Sequence, residues 1–509
     1  MSTAFENNKR IAKNTLALYF RQIIVMGVTL FTYRIVLQTL GVIDYGIYNV
    51  VGGVVVMFSF LSSTLMNITQ RFINVEMEKG SIETLQKIFS TSLMFHFAIG
   101  VIVVILGETV GLWFIENKLV IPVERMTAAR WVYQFALFGF LLSVINAPFM
   151  ALVIAHEDMH IYGYVGVFEV VMKLVVVYLL VALDFDKLIA YSGLIFLVSC
   201  LVALFYNIYC RRKYIEARFV FYYDCSLAKE LGRYGGYVFV RNIFAILRLQ
   251  GVNILLNMFF GPSVNAARGL AYAVDNALLS FGMNFRKALN PQLTKSCVQD
   301  NKKNMWNLFD RGTRISYFLL LIFSVPVMLK TEFILKLWLG NVPEYTVIFV
   351  QLVIITALLD DISVFFIVIV DAIGKLKTYY CIIYVYGILV LVFSYIVLKM
   401  GYDPSYVFIV PVPLLLLSIP VRFIVMKRII GFSTKIFTQK TLLPILAVSA
   451  VSFVPFYFVS KLFAESNFNS FSIIAASILW TGVAIIGVGL KKNERKTVFA
   501  FVKQKIFKG

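Results

Sequence analysis

The sequence predicts an all-α integral membrane protein, and three observations support this fold class. Hydrophobic residues make up 60% of the 509 residues and charged residues only 15%, and the mean hydropathy is +0.84. Globular proteins average about 45–50% apolar and about 25% charged residues, so a soluble surface would need more charge than this chain supplies. Finally, the apolar runs are too long to be membrane β-strands, which take about 9–11 residues and alternate in polarity.

A transmembrane helix needs roughly 20 mainly apolar residues, and the sequence contains fourteen such segments. Their predicted bounds are 14–40, 45–66, 89–112, 131–155, 161–183, 188–209, 234–258, 263–285, 315–337, 345–370, 379–399, 405–426, 441–461 and 470–490. Several carry prolines, which predicts kinked helices. The first span is long and is followed by no cleavage signal of the A-x-A type, so we expect it to be retained.

Lysine and arginine are unevenly distributed between the two sides of these spans, and this bias predicts the orientation. Connecting segments on the side of the N-terminus hold 32 Lys and Arg residues, whereas the opposite side holds 9, counted over its connecting segments and the adjoining ends of the spans. We therefore expect a multi-pass protein with both termini in the cytoplasm. Its longest cytoplasmic loops would be 210–233 and 286–314. Because these loops and the membrane lipids account for most of the net charge of +20, no nucleic acid partner is expected.

Two halves of the chain resemble each other at a nearly constant offset. The matches are Arg21 with Arg241 and Gly41 with Gly261 at an offset of 220 residues, and 155–162 with 372–379 at an offset of 217. The first span then corresponds to the seventh, so the two halves share one orientation and form parallel repeats. Parallel repeats are typical of secondary transporters, which bind substrate near the bilayer midplane between the repeats.

The spans and the repeat together predict the domain organisation. It comprises an N-terminal six-helix lobe (1–209), a cytoplasmic linker (210–233), a C-terminal six-helix lobe (234–426), a second cytoplasmic linker (427–440), two additional transmembrane helices (441–490) and a basic cytoplasmic tail (491–509).

Basic residues inside the spans are the main candidates for a substrate site. A charged side chain at the centre of a membrane helix costs roughly 2.5–3.5 kcal/mol on insertion scales, so it should face a polar cavity or a partner. Arg21 and Arg241 lie at matching positions, and Arg248 shares a helix face with Arg241. Asn242 and Asn253 extend this polar surface. We expect these five residues to line a water-filled cationic cleft, because guanidinium groups bind anions through paired hydrogen bonds.

Other charged residues in the spans are expected to pair with each other. Glu169 and Lys173 are four residues apart, a spacing that favours an ion pair on one helix face. Asp275 is expected to pair with Arg248 or Arg268. These pairs would have either a structural role or a part in ion coupling.

Asp360 and Asp361 lie in the middle of the tenth span. They are candidates for proton or sodium coupling, and the alternative is that they pair with the surplus cations. No other cofactor is expected, because the chain has three histidines and five cysteines without a C-x-x-C pair.

The run His156-Glu157-Asp158-Met159-His160 has the H-E-x-x-H pattern of zinc proteases. That chemistry needs both histidines on one helical face and a third ligand. Here the motif falls at a short junction between the fourth and fifth spans, and the matching segment 372–379 has no histidine. We therefore predict a polar turn without a metal, and keep an intramembrane zinc protease as an alternative.

A family pattern is carried by four parts of the chain, 14–53, 146–180, 337–340 and 372–377. The first contains Arg21-Gln22, Gly41, Tyr45-Gly46 and Tyr48-Asn49. Together they resemble the bacterial polysaccharide flippases of the Wzx type, in the multidrug/oligosaccharidyl-lipid/polysaccharide exporter (MOP) superfamily. The resemblance covers essentially the whole chain. It implies a MATE-like V shape with two lobes around a cationic lumen, to which Arg21, Arg241 and Arg248 would belong.

The resemblance also implies a function without enzymatic catalysis. The chain would carry a polyprenyl-pyrophosphate-linked oligosaccharide from the inner to the outer leaflet of the bacterial cytoplasmic (inner) membrane, for surface polysaccharides such as O-antigen, capsule or exopolysaccharide. Its partners would be that lipid-linked oligosaccharide, membrane lipids and other polysaccharide-assembly membrane proteins. Two alternatives remain. A multidrug or cation exporter of the same superfamily predicts an acidic lumen, and a glycan polymerase or ligase predicts a large outside loop, whereas the longest one here is only 113–130.

Overall fold

The computed structural model describes the backbone of residues 2–79, 81–222, 224–299, 302–374, 376–463, 466–491 and 494–495. Side chains are described from Val25 onward, apart from most positions between 226 and 245 and a few isolated ones. Within these ranges the regular elements are helices and no strand occurs, which confirms the predicted all-α fold class.

The first half of the chain forms seven α-helices in its described residues. They are α1 Ser2–Val56, α2 Ser59–Lys79, α3 Ile82–Leu106, α4 Leu112–Lys118, α5 Met126–Ala155, α6 Met159–Ala182 and α7 Lys187–Lys213. Side-chain caps define two of the starts. The Ser81 hydroxyl accepts a hydrogen bond from the Thr84 N–H ahead of α3, and the Asp186 carboxylate accepts one from the Leu188 N–H ahead of α7. Such caps satisfy backbone donors that the first helical turn leaves unpaired.

The second half and the C-terminal region add twelve α-helices within the described ranges. They are α8 Cys225–Phe260, α9 Pro262–Val298, α10 Lys302–Leu329, α11 Thr331–Leu339, α12 Thr346–Asp361, α13 Val364–Ile373, α14 Leu376–Lys399, α15 Tyr406–Ile409, α16 Pro411–Ile430, α17 Thr434–Phe437, α18 Leu443–Leu462 and α19 Asn467–Ala484. Pro411 at the first position of α16 needs no hydrogen-bond acceptor there. Gly431 ends the same helix in a left-handed conformation.

Eleven segments of the described residues are helical, long and apolar enough to cross a membrane. They cover twelve of the fourteen predicted spans, because one segment, Val25–Met77, takes in both 14–40 (from its residue 25) and 45–66. The seventh predicted span contains a shorter apolar helix, Ile246–Phe260. The eighth, 263–285, is helical as part of α9 but is not among the eleven. The structure thus supports a multi-pass membrane protein.

The helices of the two halves follow one another at the same spacing. α3, α4, α5, α6 and α7 are matched by α10, α11, α12, α14 and α15, which begin 220, 219, 220, 217 and 219 residues later. Each half carries a short helix, α4 or α11, at the corresponding place. This order supports the duplication predicted from the sequence. The lobe bounds 1–209 and 234–426 stay a prediction.

Left-handed backbone positions recur at the same offsets. Gly41 inside α1 has φ 78°, and Gly261 between α8 and α9 has φ 77°. Glu157 after α5 has φ 58°, and its counterpart Gly374 after α13 has φ 76°. A positive φ strains any residue with a Cβ. These matches concern backbone geometry, so a chance similarity between two apolar sequences does not explain them.

Contacts divide the chain into two compact units. The first consists of Met1–Gly269 and Leu391–Pro404, and the second of Leu270–Val390 and Ser405–Gly509. The units and the repeats therefore have different bounds. α8 and the start of α9 belong to the second repeat by sequence and to the first unit by contact.

Each unit has its own buried core. In the first unit, Phe89 of α3 and Phe149 of α5 meet edge to face with ring centres 5.2 Å apart, among buried residues of α2, α6 and α7. In the second unit, five buried phenylalanines from α10, α13, α16, α17 and the turn before α17 pack together. They are Phe309, Phe366, Phe423, Phe432 and Phe437. Clustered aromatic rings bury much apolar area and gain about 0.5–1.5 kcal/mol per favourable pair beyond that area.

Within the first unit, the part of α1 after its kink approaches α8 and α9 closely. A Cβ placed on Gly46 would lie 1.8 Å from the Pro262 carbonyl oxygen, and one on Gly53 would lie 2.7 Å from Asn253 Nδ2. At Gly46 the neighbouring atom belongs to the backbone, so only glycine fits, whereas at Gly53 a larger residue would displace the side-chain ends of Asn253 and Gln250. The kink at Gly41 therefore leads into a segment whose packing also depends on glycine.

Candidate functional site

The predicted cationic cleft falls largely outside the described side chains. Arg21, Arg241 and Asn242 lie on α1 and α8, but their side chains are not among those described. Arg248 is half-buried on α8. A cleft lined by these residues stays a prediction.

Asn253, the fifth predicted residue, is 3% exposed and forms several hydrogen bonds within the first unit. Its Nδ2 donates to the Asn49 carbonyl at 3.3 Å, and its Oδ1 accepts from Asn265 Nδ2 at 2.9 Å. One turn later, Asn257 accepts from the Val120 N–H at 2.8 Å and donates to the Val120 carbonyl at 3.2 Å. These amides hold α8 against α1, α9 and the segment after α4, which is a structural use of the polar face. A role of Asn253 in substrate binding stays a prediction.

The pair Glu169 and Lys173 forms as its spacing predicts. The Lys173 Nζ lies 2.6 Å from a Glu169 carboxylate oxygen on α6, and both side chains are 41% exposed. Asp275 is buried on α9. Arg268, one of its two expected partners, donates to the Leu249 carbonyl at 2.6 Å. The pairing of Asp275 stays a prediction.

One arginine is shared by two carboxylates in the first unit. Arg125, just ahead of α5, donates from Nε to Asp44 Oδ1 at 2.8 Å and from Nη2 to Asp44 Oδ2 at 2.6 Å. The same guanidinium lies 2.5 Å from an Asp186 oxygen. This hydrogen bond from Arg125 lowers the pKa of Asp186. The arrangement ties the segment after the Gly41 kink to the starts of α5 and α7.

The second unit contains a network of charged residues at a break in the tenth predicted span. α12 ends at Asp361 and α13 begins at Val364. Ser363 closes the break, since its N–H and its hydroxyl bond to the Asp360 carbonyl at 3.1 and 3.3 Å. The two adjacent carboxylates differ in environment, because the Asp361 side chain is 2% exposed and that of Asp360 is 56% exposed.

Each of these carboxylates meets an arginine from another helix. Arg286 of α9 forms an ion pair with Asp361. Arg422 of α16 is 4% exposed, lies 3.3 Å from Asp360 Oδ1, and donates to the Ser363 hydroxyl. The geometry is therefore one of charge pairing. Ion coupling by Asp360 or Asp361 stays a prediction.

Hydrogen bonding in this network is incomplete. Ser316 of α10 donates to Asp361 Oδ1 at 3.2 Å. The other oxygen, Oδ2, and the Nε of Arg422 are buried without a hydrogen-bond partner among the described residues. A buried ion pair stabilises a protein only when its remaining polar atoms are satisfied. The network is therefore a sensitive point of the second unit.

The structure corrects the expectation that 286–314 is a loop, while its cytoplasmic location stays a prediction. The described part of that segment is mostly helical, as the end of α9 and the start of α10. Arg286 thereby becomes part of the network, and Arg314 is 1% exposed, with its Nη2 2.7 Å from Glu494 Oε1. One signal pointed to helix, since no glycine occurs between residues 283 and 311. The segment was predicted as a loop because it is too polar to cross a membrane, but a helix can continue beyond its apolar part when its charged residues are paired.

The H-E-x-x-H run does not form a single helical face. His156 follows α5, Glu157 is exposed in the turn and His160 lies on α6. His156 Nε2 hydrogen-bonds to Glu216, and its ring stacks on Tyr214 with centres 4.2 Å apart. This hydrogen bond holds the pKa of Glu216 below its usual range. Among the described residues no group of three or more His, Cys, Asp and Glu is placed to hold a metal ion, and the geometry of the run favours the predicted polar turn.

No family model matches the chain, and no curated protein matches it either. Several solved structures, however, match the chain. A multidrug resistance MATE family transporter of the MOP superfamily, in an inward-facing conformation, matches with a TM-score of 0.67 and 14% identity over 81% of this chain and 98% of that chain. The lipid II flippase MurJ, in an inward closed conformation, matches with a TM-score of 0.66 and 13% identity over 92% of this chain and 97% of that chain.

A third similar structure is a MOP superfamily transporter from Pyrococcus furiosus, described by a reversed polarity of its binding pocket. It matches with a TM-score of 0.55 and 13% identity over 82% of this chain and 95% of that chain. The chain therefore has a MATE-like transporter fold, as predicted. The proteins that share this fold here are named as transporters and a flippase rather than as enzymes.

Proposed function

We propose that this protein is a flippase that moves a polyprenyl-pyrophosphate-linked oligosaccharide from the inner to the outer leaflet of the bacterial cytoplasmic membrane. One observation carries the proposal. The match to the lipid II flippase covers 92% of this chain, against 81% for the MATE transporter. Residues 1–430 make up less than 92% of the chain. The region matched by the lipid II flippase must therefore include residues after the two predicted lobes, towards α18 and α19.

The chemistry of the predicted cleft supports an anionic, lipid-linked substrate. Moving an isolated charge from water into hydrocarbon costs on the order of tens of kcal/mol. Arg21, Arg241 and Arg248 would replace water around the pyrophosphate through paired hydrogen bonds, while the polyprenyl chain stays in the lipid. Alternating access of the two lobes would then release the head group to the other leaflet.

The same proposal includes the cellular location and the partners of the protein. It would be an inner-membrane protein with cytoplasmic termini, and it would act with membrane lipids and other membrane proteins of surface polysaccharide assembly, for O-antigen, capsule or exopolysaccharide. Proton or sodium coupling would drive the cycle, with Asp360 and Asp361 as candidates. No further cofactor is needed for a step that breaks no bond.

A multidrug or cation exporter is the second candidate, because the MATE transporter matches with a TM-score of 0.67. It would need acidic groups that bind a cation. In the described part of the second unit, however, Asp361 and Asp360 each face an arginine. Drug efflux without any effect on surface glycan would favour this candidate.

The proposal predicts that the double variant Arg21→Ala/Arg241→Ala loses surface glycan and accumulates lipid-linked oligosaccharide on the inner leaflet. The reason is that the pyrophosphate would lose the groups that replace its water. Surface glycan and leaflet distribution should be measured in a strain that lacks the native gene. Immunoblots of the membrane fraction establish equal amounts of protein.

The control is Arg211→Ala/Arg212→Ala, which removes the same charge from the exposed end of α7. It should retain most of the surface glycan. Wild-type glycan in the Arg21→Ala/Arg241→Ala strain, at normal protein amounts, would rule out the cationic cleft.

A further inference from the structure

A cavity of ≈ 420 Å³ lies between α5, α6 and α7 of the first unit. Its polar lining consists of Ser143, Asn146, Tyr162, Glu169, Ser199 and Tyr206. Gly139 and Gly166 also line it, so helix backbone rather than side chain borders the space at two points. Cavities of roughly 300–1,000 Å³ are typical of small-ligand sites.

Asn146 is the lining residue that most indicates a polar occupant of the cavity. It is 7% exposed and lines the cavity, and no described residue hydrogen-bonds to its carboxamide. A carboxamide offers two donors and one acceptor, and buried polar groups are nearly always paired. Lipid chains supply no partner. The partner of Asn146 is therefore what occupies the cavity, which is either water or a polar ligand that replaces water.

The charged groups that line the cavity argue against an ion as its occupant. Glu169 is the ionisable acid among the described lining residues, and one of its oxygens is already paired with Lys173 at 2.6 Å. An anion would meet this carboxylate without a lining cation to hold it. A free cation would have to compete with Lys173, which is covalently fixed four residues away.

A neutral molecule with many hydroxyl groups fits the remaining chemistry. The carboxamide of Asn146 can donate and accept, the second oxygen of Glu169 can accept, and the hydroxyl of Ser199, which donates to the Ile195 carbonyl at 3.1 Å, keeps acceptor capacity. The rings of Tyr162 and Tyr206 add flat apolar surface. Sugar rings have this combination of hydroxyl edges and an apolar C–H face.

We propose that this cavity binds a neutral sugar ring, as a site separate from the arginines expected to hold the pyrophosphate. The identification of the sugar as part of the transported glycan rests on the proposed flippase function. The cavity would then recognise the sugar chain, and the arginines would recognise the feature common to all polyprenyl-pyrophosphate carriers.

The test is direct binding of free sugars to the purified full-length protein in lipid nanodiscs. The probes are uncharged mono- and disaccharides of glucose, galactose, rhamnose and N-acetylglucosamine, measured by saturation-transfer difference NMR. We expect at least one to bind, and Asn146→Leu to weaken its affinity at least tenfold. A second variant, Ala203→Leu, fills the cavity from α7 and should have the same effect.

Asn117→Leu is the matched control, because Asn117 is an exposed asparagine on α4 whose side chain donates to the Trp113 carbonyl of its own helix. It should bind sugar like the wild type. Absence of binding to every probe, or binding that survives both cavity variants, overturns the proposal. Sugar binding combined with normal glycan export in Arg21→Ala/Arg241→Ala would instead preserve this site and remove the proposed arginine mechanism.

Discussion

At the scale of single residues, the buried ion pair of Arg286 with Asp361 is a point in the second unit where loss of one partner should be costly. The Asp361 side chain is 2% exposed and that of Arg286 is 14% exposed. Desolvation of two charges can exceed their attraction, so a buried pair is weak evidence of net stabilisation. Removing one partner is different, since it leaves a buried charge without compensation.

We therefore predict that Arg286→Met lowers the stability of the protein by about 3–5 kcal/mol. The double variant Arg286→Met/Asp361→Leu should recover much of this loss, because neither charge then remains. The measurement is thermal unfolding of the purified protein in detergent, for the wild type, both single variants and the double variant.

The matched control for this cycle is Glu332 with Lys336, an ion pair on α11 whose side chains are 61% and 63% exposed. Exposed pairs contribute little because water screens them, so its cycle should be nearly additive. Additive effects for Arg286 and Asp361 as well would mean that the two charges do not depend on each other.

At the scale of helices, the left-handed positions after α5 and α13 form a natural comparison. Glu157 and Gly374 are counterparts in the repeat, with φ 58° and 76°. Only the glycine adopts this conformation without steric cost, which is about 1–2 kcal/mol for other residues. At this pair of positions the first half therefore has a strained backbone conformation, and the second half has a glycine that adopts it without strain.

We predict opposite effects of exchanging these residues. Glu157→Gly should stabilise the protein by about 1 kcal/mol or slightly less, and Gly374→Ala should destabilise it by about 1–2 kcal/mol. The expected cost at Gly374 is conformational, because a Cβ there would meet no atom within 4 Å. Thermal unfolding checks both signs.

Gly482→Ala serves as the control. A Cβ on Gly482 also meets no atom within 4 Å, but this glycine lies inside α19 with helical backbone. Alanine should stabilise it by about 0.5–1 kcal/mol. If Gly374→Ala behaves like Gly482→Ala, the conformation after α13 is not left-handed.

The sequence predicted the helical class and nearly all helix positions, because apolar runs of membrane length have few other structures available. It did not predict the break after Asp361, since Ile362 and Ser363 are not residues that normally end helices. It also missed Arg286, because a pair between α9 and α12 depends on packing rather than on local spacing. The pair of Glu169 and Lys173 was predictable for the opposite reason, since both residues lie on one helix.

At the scale of the whole molecule, the repeat and the contacts divide the chain differently. The second repeat begins with α8, whereas the first compact unit extends to Gly269. Hydrogen bonds of Asn253 and Asn257 contribute to the difference, because they connect α8 to residues of the first half. The predicted duplication thus groups α8 with the helices that follow it, whereas contacts within the first unit group α8 with the helices that precede it.

Orientation is the property of the whole chain on which the direction of transport depends. Connecting segments on one side hold 32 Lys and Arg residues, and the connecting segments and span ends on the other side hold 9. This bias predicts that the side with 32 faces the cytoplasm. Thr434, exposed between the twelfth and thirteenth predicted spans, should then be cytoplasmic, and Asn117, exposed after the third, should be outside.

We predict that in a cysteine-free background a membrane-impermeant maleimide labels Asn117→Cys in intact cells, and labels Thr434→Cys only after permeabilisation. Labelling of both from one side would contradict fourteen spans, because nine crossings separate the two positions. Labelling with the sides exchanged would keep the span count but place the basic loops outside, and the proposed loading of substrate from the cytoplasm would then be wrong.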